Sequence, residues 1–544
     1  MEYLQKAIKA LIENKIRTKQ GLTNIKKGIA EKYKIPFPTN IELIKKYREM
    51  IKNKEIRACP TIEKILQVRA IRSLSGVVSI ALLVSPAPKW GRGKKTCPFN
   101  CLFCPIPKDL PKSYLKNEPA VMRAIANNFD PYKQVSTRIK ALQSTGHPTD
   151  KIELIIIGGS WSYLPKRYQS WFIKRSFDAC NEISSKRLEE AQEKNEQANN
   201  RIIGITVETR PNYITRKEIK QMRKLGITRI ELGVQSIYNK ILNLNNRGEG
   251  IESTINATKL LKNAGFKVCY HIMPNLYGSN IEMDIQMFKD LFSNPNFQPD
   301  YLKIYPCIVV KNSQLYQVWK EGRFKPYTDE ELTYLLKTIK QLIPPYCRVI
   351  RVVRDIPSTD IVGGSKISNL NQIVLDEMKK EGKECRCIRC REIRKEYHSD
   401  IKLKIFRQNY NASDGKEIFL SWEDEERKNI YSLLRLRLPA YAKSSTNKSN
   451  QKEKALLPVL QNSALIREIH TYGKVQKIKK REKESPQHKG LGRKLLQEAE
   501  KIAKKAGYKK MVIISGVGVR KYYQKLGYHL KETYMVKNLK IKDF

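Results

Sequence analysis

Long apolar runs are missing from this chain. No stretch of 18 hydrophobic residues occurs, so no membrane-spanning helix is expected. The first thirty residues alternate charged and apolar positions without an apolar leader core or a small-residue cleavage site, so no secretory signal is expected. Cysteine is scarce, 11 in 544 residues, which excludes a disulfide scaffold. Six of the eleven fall in two tight, metal-like clusters, which suits a reducing, cytoplasmic setting. Acidic residues are also few: 54 Asp and Glu stand against 104 Lys and Arg, a formal net charge of +50. Such an excess attracts a polyanion by counterion release, and nucleic acid is the expected partner. A Lys-rich proteome is the bland alternative for part of it.

At 40% hydrophobic residues the chain is globular, and at 544 it is too long for one core, so two to four domains are expected. Residues 1–75 read as amphipathic helices, with Leu4, Ile8, Leu11 and Ile12 at helical spacing. Residues 1–72 carry 18 basic and 7 acidic groups, a basic outer face suited to nucleic acid or simply to solvent. From 76 to 375 apolar strands alternate with helices. The strands expected are Val77–Val84, Ile152–Ile157, Ile203–Thr209, Arg229–Val234, Lys267–Ile272, Tyr301–Ile304 and Val349–Val353. Helices Thr215–Leu225 and Ile251–Ala264 lie between them and stop at Gly226 and Gly265. This pattern means a parallel α/β sheet, open or barrel, with its chemistry at the C-terminal strand ends. Residues 376–400 form a Cys-rich linker. Residues 401–544 begin with strands Lys402–Tyr410, Glu417–Trp422 and Tyr431–Leu438 and continue through the polar loop AKSSTNKSNQKEK. Strand Ala464–Thr471, the turn QHKGLG, a helix over 492–506, strand Lys510–Ser515 and the helix VRKYYQKLGY follow.

Three motifs carry chemistry. In TCPFNCLFCPIP, Cys97, Cys101 and Cys104 put three thiolates on one loop after a strand. They can hold three irons of a 4Fe-4S cluster and leave the fourth open to a small molecule. Structural zinc would want a fourth ligand, and none lies nearby in sequence; unligated thiols are the remaining alternative. The spacing, and Phe103 before the last Cys, resemble the radical S-adenosylmethionine superfamily. That resemblance implies a barrel-like fold and S-adenosylmethionine held at the open iron. It also gives Gly158 and Gly159 a place against the methionine part and makes Glu208 and Arg210 polar contacts. Cys385, Cys387 and Cys390 are too compressed for a redox-cluster loop and suit structural zinc, with the fourth ligand open and His398 or one of the distant cysteines a candidate; surface thiols are the alternative. Gln487, Gly490 and Gly492 open a helix after a strand, a setting in which backbone N–H groups bind pyrophosphate. With Tyr522 and Tyr523 downstream, the order resembles the GNAT acetyltransferase fold, which binds acetyl-CoA and often sets a tyrosine at the place of Tyr523 near the thioester. Core packing is the other reading of both tyrosines.

All of these in one chain resemble the catalytic subunit of Elongator in its archaeal form. The collinear segments include SGVVSIALLVSPAP, EPAVMRAI, GITVETRPNYIT, TRIELGVQSIY, HIMPNL, CRCIRCREI, SALIREIHTYGKV and SGVGVRKYYQKLGY. The resemblance implies an α/β protein: a radical S-adenosylmethionine partial barrel of TIM type with a basic helical N-terminal region that binds tRNA, a zinc linker and a C-terminal GNAT α+β domain. It implies wobble-uridine modification, in which a 5′-deoxyadenosyl radical activates the methyl of acetyl-CoA for addition to C5 and thioester hydrolysis leaves 5-carboxymethyluridine. Lys151, Glu468, Ile469, His470, Thr471, Leu491, Gly492, Arg493 and Tyr523 are then expected at acetyl-CoA, with Lys151 and Tyr523 catalytic. The electron donor and the assembly, a homodimer among the options, stay open. The chain departs from the family in a tighter gap between the first two cysteines, in CPIP where the family has CPGG, and in Ser160 after Gly158 and Gly159. Rival readings are a protein lysine acetyltransferase with a structural cluster and a tRNA-binding module without catalysis.

Overall fold

The computed structural model describes residues 2–67, 75–91, 96–393, 401–440, 455–473 and 490–539. The loop AKSSTNKSNQKEK, His398 and Gln487 lie outside the described residues.

Four helices, Glu2–Glu13, Lys19–Tyr33, Asn40–Lys52 and Pro60–Leu66, open the fold. The third starts at a capping box: Thr39 Oγ1 accepts from Glu42 N (3.2 Å) and Glu42 Oε2 accepts from Thr39 N (2.7 Å). The helices close over Ile8, Leu11, Leu43, Tyr47 and Met50, a core of their own. They rest on the next unit through Gln67, whose Nε2 donates to Gly146 O (3.3 Å), and through Arg48, which donates to Gln143 O.

The central unit contains β1 (Val78–Leu83), β2 (Lys151–Ile157), β3 (Arg201–Thr209), β4 (Arg229–Gln235), β5 (Lys267–Ile272), β6 (Tyr301–Ile304), the short β7 (Val309–Val310), β8 (Arg348–Val352) and the short β9 (Ile361–Gly363). Seven of them form one sheet in the order β1-β2-β3-β4-β5-β6-β8, every pair parallel. β1 and β8 remain edges, so the sheet is an open, partial barrel. Its outer face is apolar: Leu154, Val207, Leu232, Tyr270 and Leu302 are fully buried beneath the helices. Its inner face, at alternate positions, carries charge: Glu208 on β3, Glu231 on β4, His271 on β5 and Lys303 on β6.

The C-terminal sheet comprises β10 (Leu403–Ala412), β11 (Gly415–Asp424), β12 (Ile430–Pro439), β13 (Ser463–Thr471), β14 (Lys510–Ile513), β15 (His529–Lys531) and β16 (Tyr534–Asn538). Its order is β10-β11-β12-β13-β14-β16-β15, antiparallel except for β13 beside β14. β14 pairs only Ser463–Ile466 of β13. At Arg467 a bulge against β12 bends β13 away, and Glu468–Thr471 pair with β12 alone. A cleft therefore opens between β13 and β14, and the helix Leu491–Lys505 begins beside it.

The two sheets are not separate bodies. Phe419, Tyr431, Leu465, Val512 and Tyr534 belong to the same apolar core as the barrel. The C-terminal sheet docks on the N-terminal ends of the barrel strands. Arg467 Nη1 donates to Asp300 Oδ2 (2.7 Å) just before β6, Tyr301 donates to Glu468, and Arg348 Nη1 donates to Tyr472 Oη (3.0 Å) at the start of β8. Gly516 packs so closely on the start of β3 that a Cβ there would stand 2.0 Å from Ile203 O, so only glycine fits.

Candidate active site

At the C-terminal strand ends the cysteine loop is held from both sides: Leu102 N donates to Asn245 O (3.0 Å) and Leu315 N to Leu102 O (2.8 Å). Arg210 Nη1 and Arg247 Nη1 each lie 3.5 Å from Cys101 Sγ, and both guanidinium groups pair with Glu249 at 2.9 and 2.8 Å. Ser160 Oγ lies 3.6 Å from Cys97 Sγ. Burial, with the neighbouring Cys101 and Cys97 adding to it, pushes the Cys104 thiol up to about 12. The three sulfurs do not all fall within 4.8 Å of one another, as those of Cys385, Cys387 and Cys390 do. A single zinc ion, with metal–sulfur bonds of about 2.3 Å, draws its ligands closer than that. The wider triad, with two arginines to offset thiolate charge, fits an iron–sulfur cluster.

Gly158 and Gly159 let the loop approach. They sit at φ +121° and +95°; a Cβ would meet Val84 Cγ2 at 2.6 Å on the first and Thr96 Oγ1 at 2.9 Å on the second. Ser160 N then donates to Thr96 O (3.1 Å), which ties the glycine turn to the residue before Cys97.

A cavity of about 750 Å³ opens at the cysteines and runs down the inner face of the barrel to Arg229, the first residue of β4. Its wall carries a chain of charges. Glu208 Oε2 accepts from Tyr114 Oη (2.5 Å), and its Oε1 lies 3.4 Å from Lys303 Nζ. Lys303 also pairs with Glu231, which in turn holds His271 Nε2 at 2.9 Å. Glu208 faces Glu231, and His271 faces Lys303, as direct neighbours in register. Burial alone would raise the Glu231 carboxyl, but Lys303, His271 and Arg229 outweigh it and hold the group well below the usual carboxylate range. Gln235 ends β4 at φ +70°, and its buried Oε1 has no partner among the described residues. Strain and an orphaned acceptor at a cavity wall suit a bound polar group, such as S-adenosylmethionine.

The remaining expected residues gather at the other end of the barrel, about 20 Å away for a seven-residue strand. Lys151 begins β2 beside Arg201, against which Gly518 packs; it is half-buried, and burial lowers its ammonium from the usual lysine range. Along β13 the side chains alternate. Glu468 and His470 turn to the barrel, Glu468 to Tyr301 and to Arg435 Nε (2.8 Å), His470 Nε2 to Ser75 O (2.9 Å). Ile469 and Thr471 turn to the cleft, each within 3.6 Å of the position a Cβ on Gly492 would take, with Tyr522 Oη at 3.7 Å. Gly490, at φ +68°, caps the helix Leu491–Lys505; Leu491 is buried beneath it and Arg493 is exposed beside Tyr522. Tyr523, expected at the thioester, packs in the apolar core with Leu495, Ala499 and Tyr528; burial raises its hydroxyl far above the usual tyrosine value. Tyr522 is the tyrosine that reaches the cleft.

In the linker, Cys385 and Cys387 are buried, and hydrogen bonds from Cys385 and Cys390 hold the Cys387 thiol well below its usual value. Three sulfurs within 4.8 Å, one of them inclined to thiolate, suit a single zinc ion. Sequence reasoning missed Arg247, Tyr114, Glu231 and Lys303 as parts of the site. For Glu231 and Lys303 the signal was there: a charge in mid-strand, Glu231 two residues after Arg229 in RIELGV and Lys303 in YLKI, strands otherwise fit for burial.

Comparison with known proteins agrees with this division. Residues 94–291 match the radical SAM superfamily, 299–380 the radical SAM C-terminal domain and 483–528 the acetyltransferase (GNAT) family. The tRNA uridine(34) acetyltransferase of Methanocaldococcus infernus is 45% identical over 98% of both chains. Human Elongator complex protein 3 is 36% identical over 98% of this chain and 96% of its own. The chain belongs to the Elongator complex protein 3 family. A solved family member, the archaeal Methanocaldococcus infernus Elp3 with N-terminus deletion (1-46), superposes with a TM-score of 0.72 at 44% identity, covering 86% of this chain and all of that one. As a radical SAM enzyme of this family, the chain is a transferase with a partial barrel and a GNAT domain. Among the described residues no helix is long and apolar enough to cross a membrane.

Proposed function

We propose that this enzyme converts the wobble uridine of tRNA to 5-carboxymethyluridine, using both ends of the barrel for one reaction. The observation that carries the reading is the cavity: it begins at Cys97, Cys101 and Cys104 and continues to Arg229. Arg229 lies over the Tyr301 ring (5.3 Å), and Tyr301 donates to Glu468 of the acyl-binding strand. When bound, a 4Fe-4S cluster and S-adenosylmethionine would supply a 5′-deoxyadenosyl radical, and acetyl-CoA the two-carbon unit. Cys97, Cys101 and Cys104 would hold the cluster. Gly158, Gly159, Glu208, Arg210 and Gln235 would orient S-adenosylmethionine. The backbone of Glu468–Thr471, the N–H groups at Leu491–Arg493, and Tyr522 would hold acetyl-CoA, with Lys151 on the barrel side. Cys385, Cys387 and Cys390 would hold zinc in the linker at 376–400. The basic region 1–75 would bind tRNA, the barrel occupying 76–375 and the GNAT domain 401–544.

Printed names support the substrate: relatives at 42–47% identity, from Methanocaldococcus and Dehalococcoides, are tRNA uridine(34) acetyltransferases. The lysine acetyltransferase reading needs a base at the acyl cleft. Glu468, the carboxylate on that strand, is buried and engaged by Tyr301 and Arg435. The deciding experiment is anaerobic incubation of iron-reconstituted enzyme with reductant, S-adenosylmethionine, acetyl-CoA and tRNA. Acetyl-CoA-dependent 5-carboxymethyluridine is expected in the digested tRNA. Peptide acetylation without tRNA modification would overturn the proposal.

A further inference from the structure

The reaction proposed above leaves a proton to be removed, and nothing so far assigns a group to it. Once the two-carbon unit has added to C5, that carbon still carries its hydrogen and C6 carries an unpaired electron. Restoring the C5=C6 double bond breaks the C5–H bond. The proton leaves for a base, and three electrons remain on C5 and C6. One of them would be taken by a one-electron oxidant, such as the oxidised cluster that Cys97, Cys101 and Cys104 would hold, and the other two form the π bond.

Among the described residues the cavity wall carries one imidazole, His271. It lies next to the end of β5 on the inner face of the barrel, level with Lys303 and one inward-facing position beyond Glu208, Glu231 and Cys269. Its Nε2 is fixed by the fully buried Glu231 at 2.9 Å, and its ring meets Tyr305 edge-on at 5.4 Å. Its Nδ1 has no hydrogen-bond partner among the described residues, and the side chain keeps 12% of its surface. A carboxylate behind one ring nitrogen and a free second nitrogen is the arrangement of an oriented general base. Glu231 is fully buried and its Oε2 takes both His271 and Lys303, so it serves as their partner rather than as a competing base. Glu208 is engaged by Tyr114 and Lys303, and Glu118 by Arg354, so neither carboxylate has the same freedom.

We propose that Nδ1 of His271 takes the C5 proton of the target uridine, with Glu231 as the positioning residue that fixes the ring. The assignment rests on the uridine reaction, and the test separates the two. Full-length enzyme, reconstituted with iron, is given reductant, S-adenosylmethionine, acetyl-CoA and tRNA transcribed with 5-tritiated uridine. Tritium released to water, 5′-deoxyadenosine and 5-carboxymethyluridine are measured together. Wild-type enzyme should release one tritium per modified uridine. In His271→Gln, which keeps a donor for Glu231 but has no basic nitrogen, the ratio of tritium released to 5′-deoxyadenosine formed should fall about 100-fold. His271→Ala should behave alike and recover in part with added imidazole. Glu231→Gln should lower the ratio less than either. A wild-type ratio in both His271 variants, with iron content and circular dichroism unchanged, would overturn the assignment while leaving the uridine reaction standing. Wild-type enzyme that makes 5′-deoxyadenosine but neither releases tritium nor modifies tRNA would overturn both.

Discussion

Replacing Asp300 by Asn should unlock the barrel from the C-terminal sheet. Asp300 is fully buried and accepts from both terminal nitrogens of Arg467 and from Val268 N (2.9 Å), with Lys262 Nζ at 3.4 Å and Arg435 Nη1 at 3.7 Å. Glu417 completes the set, taking Arg467 and Arg437 at 2.9 Å each. The amide keeps one acceptor and turns an NH₂ toward a guanidinium. At least one charge-assisted bond, worth about 1.5–3 kcal/mol, is lost. Breaking a buried pair and leaving its partner uncompensated costs about 3–5 kcal/mol. Lys262 absorbs part of this: burial already lowers its ammonium to about 8, and without Asp300 it would shed its proton near neutrality. We therefore expect a loss of about 3–4 kcal/mol, seen as a urea midpoint about 1 M lower. The pH dependence gives a second check. Burial pushes the Asp300 carboxyl up, but Arg467, Lys262 and Arg435 pull it well below the usual carboxylate range. A depressed carboxyl stabilises the fold above its unfolded value of about 3.9 and loses that contribution as the pH falls below it. Wild type and Asp300→Asn should thus differ fully at pH 7 and converge below about pH 4. Unfolding at pH 7 that differs by less than about 1 kcal/mol would refute the reasoning.

Four further outcomes are expected. Gly159→Ala should displace Thr96, which lies 2.9 Å from the new Cβ, and lower iron per chain after reconstitution to below about half, with circular dichroism unchanged. Cys101→Ala should abolish 5′-deoxyadenosine formation and spare tRNA binding, read by chromatography and by filter binding. Tyr522→Phe should weaken acetyl-CoA binding about 3- to 10-fold by calorimetry, the worth of one hydrogen bond, whereas Tyr523→Phe should leave it within about twofold. Cys387→Ser should remove zinc from the purified protein by elemental analysis, while iron loading at Cys97, Cys101 and Cys104 persists.

The strands of the barrel could be read closely because burial on both sides makes them short apolar runs that end at glycines or at helix caps. Ile152–Ile157 was expected and Lys151–Ile157 is found; Lys267–Ile272 is found as expected. Whether the barrel closes could not be read, since closure depends on strand tilt rather than on the identity of β1 or β8. The cysteine triads were legible from spacing alone. The direction of the acyl-strand side chains was not: in Glu468–Thr471 the alternation is plain, but which parity meets the barrel is set by the bulge at Arg467. The same limit explains the tyrosines. Tyr522 and Tyr523 are adjacent on one helical turn, and only the packing of that turn decides which is core. A charge inside each apolar strand marks Glu231 and Lys303 singly, but their strands lie far apart in sequence, so no local motif announces the wall they build together.

The clasp at Asp300 also sets a clock on the ribosome. Its arginine partners follow it in the chain by 135 and 167 residues, and the barrel is otherwise fully translated before the second of them appears. At about 5–20 residues per second, on the order of ten to thirty seconds separate Asp300 from its arginine partners, and until then the carboxylate has Lys262 and the Val268 N–H but no guanidinium to answer it. A chain stalled at residue 400 should therefore be cut by protease near Asp300, and one stalled beyond the end of the sequence should resist. Synthesis order, in this enzyme, makes the C-terminal sheet the part that completes the foot of the barrel.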